Sequence, residues 1–333
     1  MVAKSLRNVA LAGGAALAVL GGWAATASAQ TASLYSSAIS QPTDTIVLSD
    51  GGPAYVSSDT GVYYLPTPAG VPVRISSGGG FRELAMMADG SLLAGRTDGG
   101  VYRYAANCTT QAGCGEAYFA DTAGGGGVYG VAVDNVNSYV YFTGYDGDVI
   151  RRTNLSGGSP ETFVSSGLDA PAGLEIGTDG FLYVGDSDNQ RVMRYPANCT
   201  APCGSGTVFA SGGGITSTRG VERSPSTGVL FISDGGALGS GKVYTVGAAG
   251  GTPVQYSALS VNGVESIYLI DGTNALYVSG GVGGGSPNLY KISVTAAAAA
   301  FAVPTMSEWA MILLGIMLAG SAAIYIHRRH PFG

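Results

Sequence analysis

The sequence predicts an all-β protein: a six-bladed β-propeller closed by an N-terminal strand, with a signal peptide before it and one transmembrane helix after it. Three observations lead there. Of the 333 residues 55 are Gly and only 11% are charged, against about 25% charged in an average domain, a composition suited to tight turns and short strands rather than helices. Six segments repeat at a spacing near 44 residues. Apolar runs at both ends stand outside the repeat. The chain divides accordingly into 1–29, 30–294, 295–302 and 303–333.

Taken in order, residues 1–29 form a secretory signal, with Lys4 and Arg7 ahead of the apolar "VALAGGAALAVLGG" and the small-residue site Ala27-Ser28-Ala29 before Gln30. The repeat follows. Its clearest unit is "PAGLEIGTDGFLYVGDSDNQRVMRYPANC", Pro171 to Cys199, and five others align with it on a central apolar pair. The pairs are Tyr55-Val56, Leu93-Ala94, Tyr141-Phe142, Tyr183-Val184, Phe231-Ile232 and Tyr277-Val278, spaced by 38, 48, 42, 48 and 46 residues. Periods of about 40 to 50 with four short strands each are the signature of propeller blades.

An alternating strand precedes each pair, and an acidic-Gly turn and a third strand follow it ("GVYYL", "GVYRY", "DVIRR", "RVMRY", "KVYTV", "NLYKI"). A fourth strand closes five of the units. The sixth runs instead into "TAAAAAFA", whereas "LYSSAIS" at Leu34–Ser40 reads like the last strand of unit five. The N-terminal strand is therefore expected to complete blade six, since an open ring would leave unpaired edges that template aggregation. Asp-Gly pairs at Asp50, Asp89, Asp98, Asp146, Asp179, Asp234 and Asp271 are expected to supply the positive φ of tight hairpins.

Counting back 11 or 12 residues from each central pair reaches the start of the innermost strand, at the channel mouth: Asp44, Arg82, Tyr129, Ala172, Arg219 and Glu265. Two readings of this ring are open. Asp44 and Glu265, neighbours across the closure, would hold a divalent cation such as calcium with carbonyl oxygens and water. Alternatively Asp44 pairs with Arg82 and Glu265 with Arg219, with Glu83 joining either arrangement. Tyr129 and Tyr145 offer rings on which a sugar can stack.

The domain lacks His and Trp, because His327, His330, Trp23 and Trp309 all lie in the terminal segments. Ser-His-Asp and Cys-His hydrolysis are thereby excluded, and general base work would fall to a carboxylate of raised pKa. Removing Lys4, Arg7, Arg328, Arg329 and Glu308 leaves 12 basic and 21 acidic residues, a balance that excludes a nucleic-acid partner. The four cysteines, close together in two pairs of an exported chain, predict the disulfides Cys108–Cys114 and Cys199–Cys203, each stapling a short loop. Zinc is the alternative, but two thiols per blade without His are a poor ligand set. The Gly-rich stretches 123–130 and 280–287 lack the Lys-Ser/Thr of a phosphate loop and read as connections.

Last come "VPTMSEW", Val303, Pro304, Thr305, Met306, Ser307, Glu308 and Trp309, and a charge-free run of 18 residues, Trp309–Ile326. At about 1.5 Å per residue the run just crosses a hydrocarbon core of about 30 Å. Arg328 and Arg329 behind it hold that end on the cytoplasmic side.

The tail resembles the IPTL-CTERM sorting segment of Gram-negative bacteria, which implies recognition and cleavage near Pro304-Thr305 by an exosortase-like membrane enzyme. Val303, Met306 and Ala310 stand where that family has Ile, Leu and Gly. The blade "GLEIGTDGFLYVGDSDNQRVMRY", with Asp186, Asn189 and Arg191 in its turn, resembles the NHL repeat and, more distantly, the six-bladed gluconolactonase and senescence-marker family. That likeness implies a metal site of one Glu, two Asn and one Asp. Glu265 and Asp44 match the acids, but no Asn occupies a matching slot; the catalytic His of streptogramin-lyase-type propellers is missing as well. The expectation is an exported protein, anchored in the inner membrane facing the periplasm and then sorted to the surface or released. It would bind a glycan or protein without catalysis and without an obligatory cofactor. Two readings compete with this: a calcium-dependent lactonase or esterase-like hydrolase, and a structural protein of the envelope or biofilm.

Overall fold

The computed structural model describes residues 32–236, 241–258, 263–273, 275–280 and 288–293, all within one compact unit spanning 29–295. The signal peptide, the linker, the sorting motif and the expected helix 309–326 lie outside the described residues. Among the described residues no helix is long and apolar enough to cross a membrane.

Six four-stranded sheets make the blades. Blade one contains Pro42–Val47, Ala54–Ser58, Gly61–Leu65 and the two-residue Val73–Arg74; blade two Phe81–Met86, Leu92–Arg96, Gly100–Tyr104 and Ala117–Asp121; blade three Val131–Asp134, Tyr139–Gly144, Val149–Asn154 and Glu161–Val164. Blade four contains Pro171–Ile176, Phe181–Asp186, Arg191–Pro196 and Thr207–Ser211; blade five Thr218–Arg223, Leu230–Asp234, Lys242–Val246 and Val254–Ala258. Blade six has Val264–Ile270, Ala275–Gly280 and Asn288–Ser293, and its outermost strand is Ala32–Ser36.

The closure is therefore made as the repeat required, although the strand begins and ends earlier than Leu34–Ser40. Ala32 pairs with Ile292 and Ser36 with Leu289, and the Tyr35 ring meets Tyr277 edge-on at 4.9 Å. Because strands alternate in direction, Ala32 and Ser293 lie together at the end of blade six away from Val264. The described chain thus enters and leaves the ring on the face opposite the mouth.

All six central pairs are buried. Their side chains fill the spaces between sheets, as period-two alternation demands where both faces of a blade are covered. Hydroxyls on the second strands tie neighbouring blades at their inner edges: Ser57 donates to the carbonyl of Arg82, Ser279 to that of Thr43 at 2.8 Å and Ser233 to that of Glu265 at 3.2 Å. Five of the Asp-Gly turns place their Gly at positive φ, but after Asp146 and Asp234 the left-handed residue is Asp148 (54°) or Gly236 (51°). There the turn runs one residue further before it closes.

Both disulfides form as paired. The first includes the one helical turn among the described residues, Gln111–Cys114, stopped by Gly115 in the left-handed region at φ 52°. The loops do more than staple themselves, for each docks on the preceding blade. Tyr55 of blade one donates to Cys108 O at 2.9 Å, and Tyr141 of blade three to Ala197 O at 2.6 Å.

Candidate functional site

Innermost strands begin at the mouth, so their first inward residues set its chemistry. Arg82, Glu83, Tyr129, Arg219 and Glu265 together line a hollow of about 20 Å³, room for roughly one water-sized group. Asp44 is not in this ring; Thr43 occupies its place. The spacing explains the shift, since Asp44 stands 11 residues before Tyr55 whereas Glu265 stands 12 before Tyr277. The register slips alike in both blades, between Pro42 and Asp44 and between Val264 and Ser266, so that Asp44 pairs with Ser57 as Ser266 does with Ser279. Asp44 is one residue deeper than Glu265.

A chain of side chains crosses the mouth. Arg82 forms an ion pair with Asp59, which replaces the anticipated Asp44, and its guanidinium lies 5.3 Å from the Tyr129 ring centre. Tyr129 stacks on Tyr145 at 4.1 Å with 26° between planes. Beyond Tyr145 comes Arg219, which donates to the Tyr145 hydroxyl at 3.2 Å and lies 5.8 Å from its ring. Arg219 Nε is buried with no hydrogen-bond acceptor. Burial works against the Arg219 cation, but the Glu265 carboxylate and the two tyrosines outweigh it and hold the group above its ordinary value.

Below the mouth lies a chamber of about 240 Å³ lined by Asp44, Glu83, Glu175 and Glu222, by Ser266 and Tyr268 and by apolar side chains, with no Lys, Arg or His in the lining among the described residues. Glu83 faces both cavities. Its Oε2 accepts from Val131 N at 3.0 Å and Leu174 N at 3.2 Å, linking blades three and four to blade two. Asp44 likewise accepts from Thr45 N (2.7 Å), Leu84 N (2.7 Å) and Ser266 Oγ (2.6 Å), linking blades six, one and two. These strands approach closely because glycines stand between them: a Cβ on Gly130 would sit 2.1 Å from Ala172 O.

Without cations in the lining, the carboxyls resist ionisation. Burial pushes Asp44 up to about 7 despite its three hydrogen bonds. Burial and then the Asp44 charge drive Glu83 well above the carboxylate range. Glu175 rises to about 8 through burial, with Arg223 opposing. Glu222 is raised well above its usual value by burial, then by Glu175 and Asp44. Such groups in a cavity are suited to proton transfer or to a strictly structural role as neutral acids.

Glu175, Glu222 and Asp59 were not singled out from the sequence. A signal existed for the first two, because an acid in "GLEIG" or "GVERS" occupies an inward position among apolar neighbours. Asp59 lies in a hairpin turn and gave none. As for a cation, Asp44 and Glu265 stand on different levels, and the oxygens of Asp44 already accept three hydrogen bonds. Among the described residues no three of His, Cys, Asp and Glu gather as metal ligands.

The comparisons can now be placed on this geometry. Residues 301–330 match the IPTL-CTERM motif. The chain carries that sorting tail behind a six-bladed propeller, and it resembles gluconolactonase-like and NHL-type propellers in structure. Among solved structures, a calcium-binding protein, regucalcin from Agrobacterium tumefaciens, superposes with a TM-score of 0.62 at 13% identity, covering 80% of this chain and 96% of that one. A gluconolactonase from Xanthomonas campestris gives 0.61 at 14% identity over 79% and 89%. A streptogramin B lyase gives 0.55 at 13% over 80% and 98%. At such identities the likeness establishes the fold alone. No curated protein matches the sequence. The sorting motif marks the chain for export and for recognition by an exosortase-type membrane enzyme at the cell envelope.

Proposed function

We propose that this is a non-enzymatic binding propeller, exported by its signal peptide, held in the inner membrane by residues 309–326 and sorted to the surface or released by cleavage near Pro304-Thr305. Its ligand, a glycan or protein, docks at the channel mouth. One observation carries the reading: the row Asp59, Arg82, Tyr129, Tyr145, Arg219 and Glu265 ends in a buried Arg219 Nε without an acceptor among the described residues, beside the Glu265 carboxylate whose charge acts on it. Donor capacity left unfilled at a concave mouth, beside aromatic rings and a carboxylate, is what a ligand uses.

The test is a binding screen of neutral and charged oligosaccharides and short peptides, with hits repeated on Arg219→Ala and Tyr145→Ala. Loss of affinity by roughly tenfold or more in both variants would support the mouth, each lost charged hydrogen bond being worth about 1.5–3 kcal/mol. Hits that ignore both substitutions would remove it.

A second reading, calcium-dependent lactone or ester hydrolysis, is favoured by Glu83, a carboxyl with strongly raised pKa that faces mouth and chamber together. It predicts lactone turnover that is lost on metal stripping, restored by calcium and abolished in Glu265→Gln. Absence of turnover with calcium present would leave the binding reading alone.

A further inference from the structure

The two disulfides look alike in sequence and differ in the fold. Cys108 and Cys114 are 5% and 0% exposed and belong to the apolar core between blades one and two. Cys199 and Cys203 are half-buried at the edge of the next core, in a loop whose Asn198, Thr200, Pro202 and Gly204 are exposed. Yet this accessible loop carries three hydrogen bonds that join blade four to blade three. Tyr141 donates to Ala197 O at 2.6 Å, Arg152 Nη1 to Cys199 O at 2.9 Å, and Cys203 N to Phe163 O at 2.6 Å. Two of the three use the backbone of the bonded cysteines themselves.

We propose that Cys199–Cys203 is a thiol–disulfide exchange site for a dithiol reductant, and that its reduction releases the loop joining blades three and four, while Cys108–Cys114 stays a structural bond. In the first step a reductant thiolate attacks one cysteine sulfur, forming a mixed disulfide and expelling the other cysteine as a thiolate, which takes up a proton. The reductant's second thiolate then attacks its own sulfur in the mixed disulfide, closing as a disulfide and releasing the second cysteine as a thiol. One disulfide is reduced, one dithiol is oxidised, and two protons pass to the protein. Access decides which bond exchanges, since the attacking sulfur must approach along the S–S axis, and the sulfurs of the helical turn are enclosed. Loss of the covalent clip frees the loop backbone, so the three hydrogen bonds must be held against a more mobile segment.

The native full-length chain is titrated with dithiothreitol, alkylated with iodoacetamide and mapped by peptide mass, with hydrogen exchange followed in 197–206. The expected result is alkylation of Cys199 and Cys203 at dithiothreitol concentrations at least tenfold below those that label Cys108 and Cys114, with faster exchange in 197–206 of the labelled protein. Simultaneous labelling of both pairs, earlier labelling of Cys108 and Cys114, or unchanged exchange in the loop after reduction would each overturn the proposal. Tyr141→Phe supplies an independent check: without its hydrogen bond to Ala197 the Cys199–Cys203 bond should be reduced at least threefold faster, and an unchanged rate counts against the role given to the loop contacts.

Discussion

Replacing Glu175 by Gln tests whether the chamber holds neutral acids. Glu175 lines the chamber and receives no side-chain hydrogen bond among the described residues, so the substitution removes a titratable group and little else. Burial lifts its pKa from 4.5 to about 8. At about 1.36 kcal/mol per pH unit, keeping it ionised in the folded chain costs at most about 5 kcal/mol, and the partial exposure of Glu175 lowers this to about 2–4 kcal/mol. The sign follows from proton counting. Between pH 4.5 and 8 the folded protein holds a proton that the unfolded chain has released, so stability is full below 4.5 and falls as the pH rises towards 8. Gln has no such proton to lose. The variant should match the wild type near pH 4 and exceed it by about 2–4 kcal/mol at pH 8–9, read from urea unfolding followed by far-UV circular dichroism. Parallel stability curves for the two proteins between pH 5 and 8 would refute the reasoning.

Three further outcomes follow. Gly130→Ala drives a methyl group against the Ala172 carbonyl of blade four and should cost about 2 kcal/mol or more, lowering Tm by about 4–8 °C in a thermal melt. Deleting residues 32–36 leaves the Asn288–Ser293 edge without its partner and should turn a monodisperse peak on size exclusion into aggregate. If no calcium is held through Asp44 and Glu265, 1 mM calcium against chelator should shift Tm by less than about 1 °C. A cation bound at micromolar Kd would add about 4 kcal/mol at that concentration, a rise that calorimetry would register at once.

Much of the propeller is legible in one dimension because each blade repeats the same burial problem. Tyr183-Val184 and its five counterparts are apolar since both faces of every blade are covered, and the register of that pair carries the rest of the unit with it. The missing fourth strand after Asn288–Ser293 and the spare one near Leu34 balance for the same reason. The cysteine pairs are legible because four and six residues separate their partners, whereas their docking on the preceding blade depends on Tyr55 and Tyr141 in another sheet.

The sequence by itself determined the number of blades, the residues that fill the spaces between them, the closure by an early strand, and the sorting motif behind the propeller. What only the tertiary structure decided is the axial level of each side chain in the channel. Alternation tells whether a residue points inward but not how deep it sits: the same bulge opens the innermost strands of blades one and six, which sets Asp44 level with Ser266, beneath Glu265 and the mouth, and leaves Arg82 to Asp59. The same geometry gathered Asp44, Glu83, Glu175 and Glu222, from four strands up to 178 residues apart in the chain, around one chamber. Their charge states follow from that shared enclosure, which no local pattern encodes.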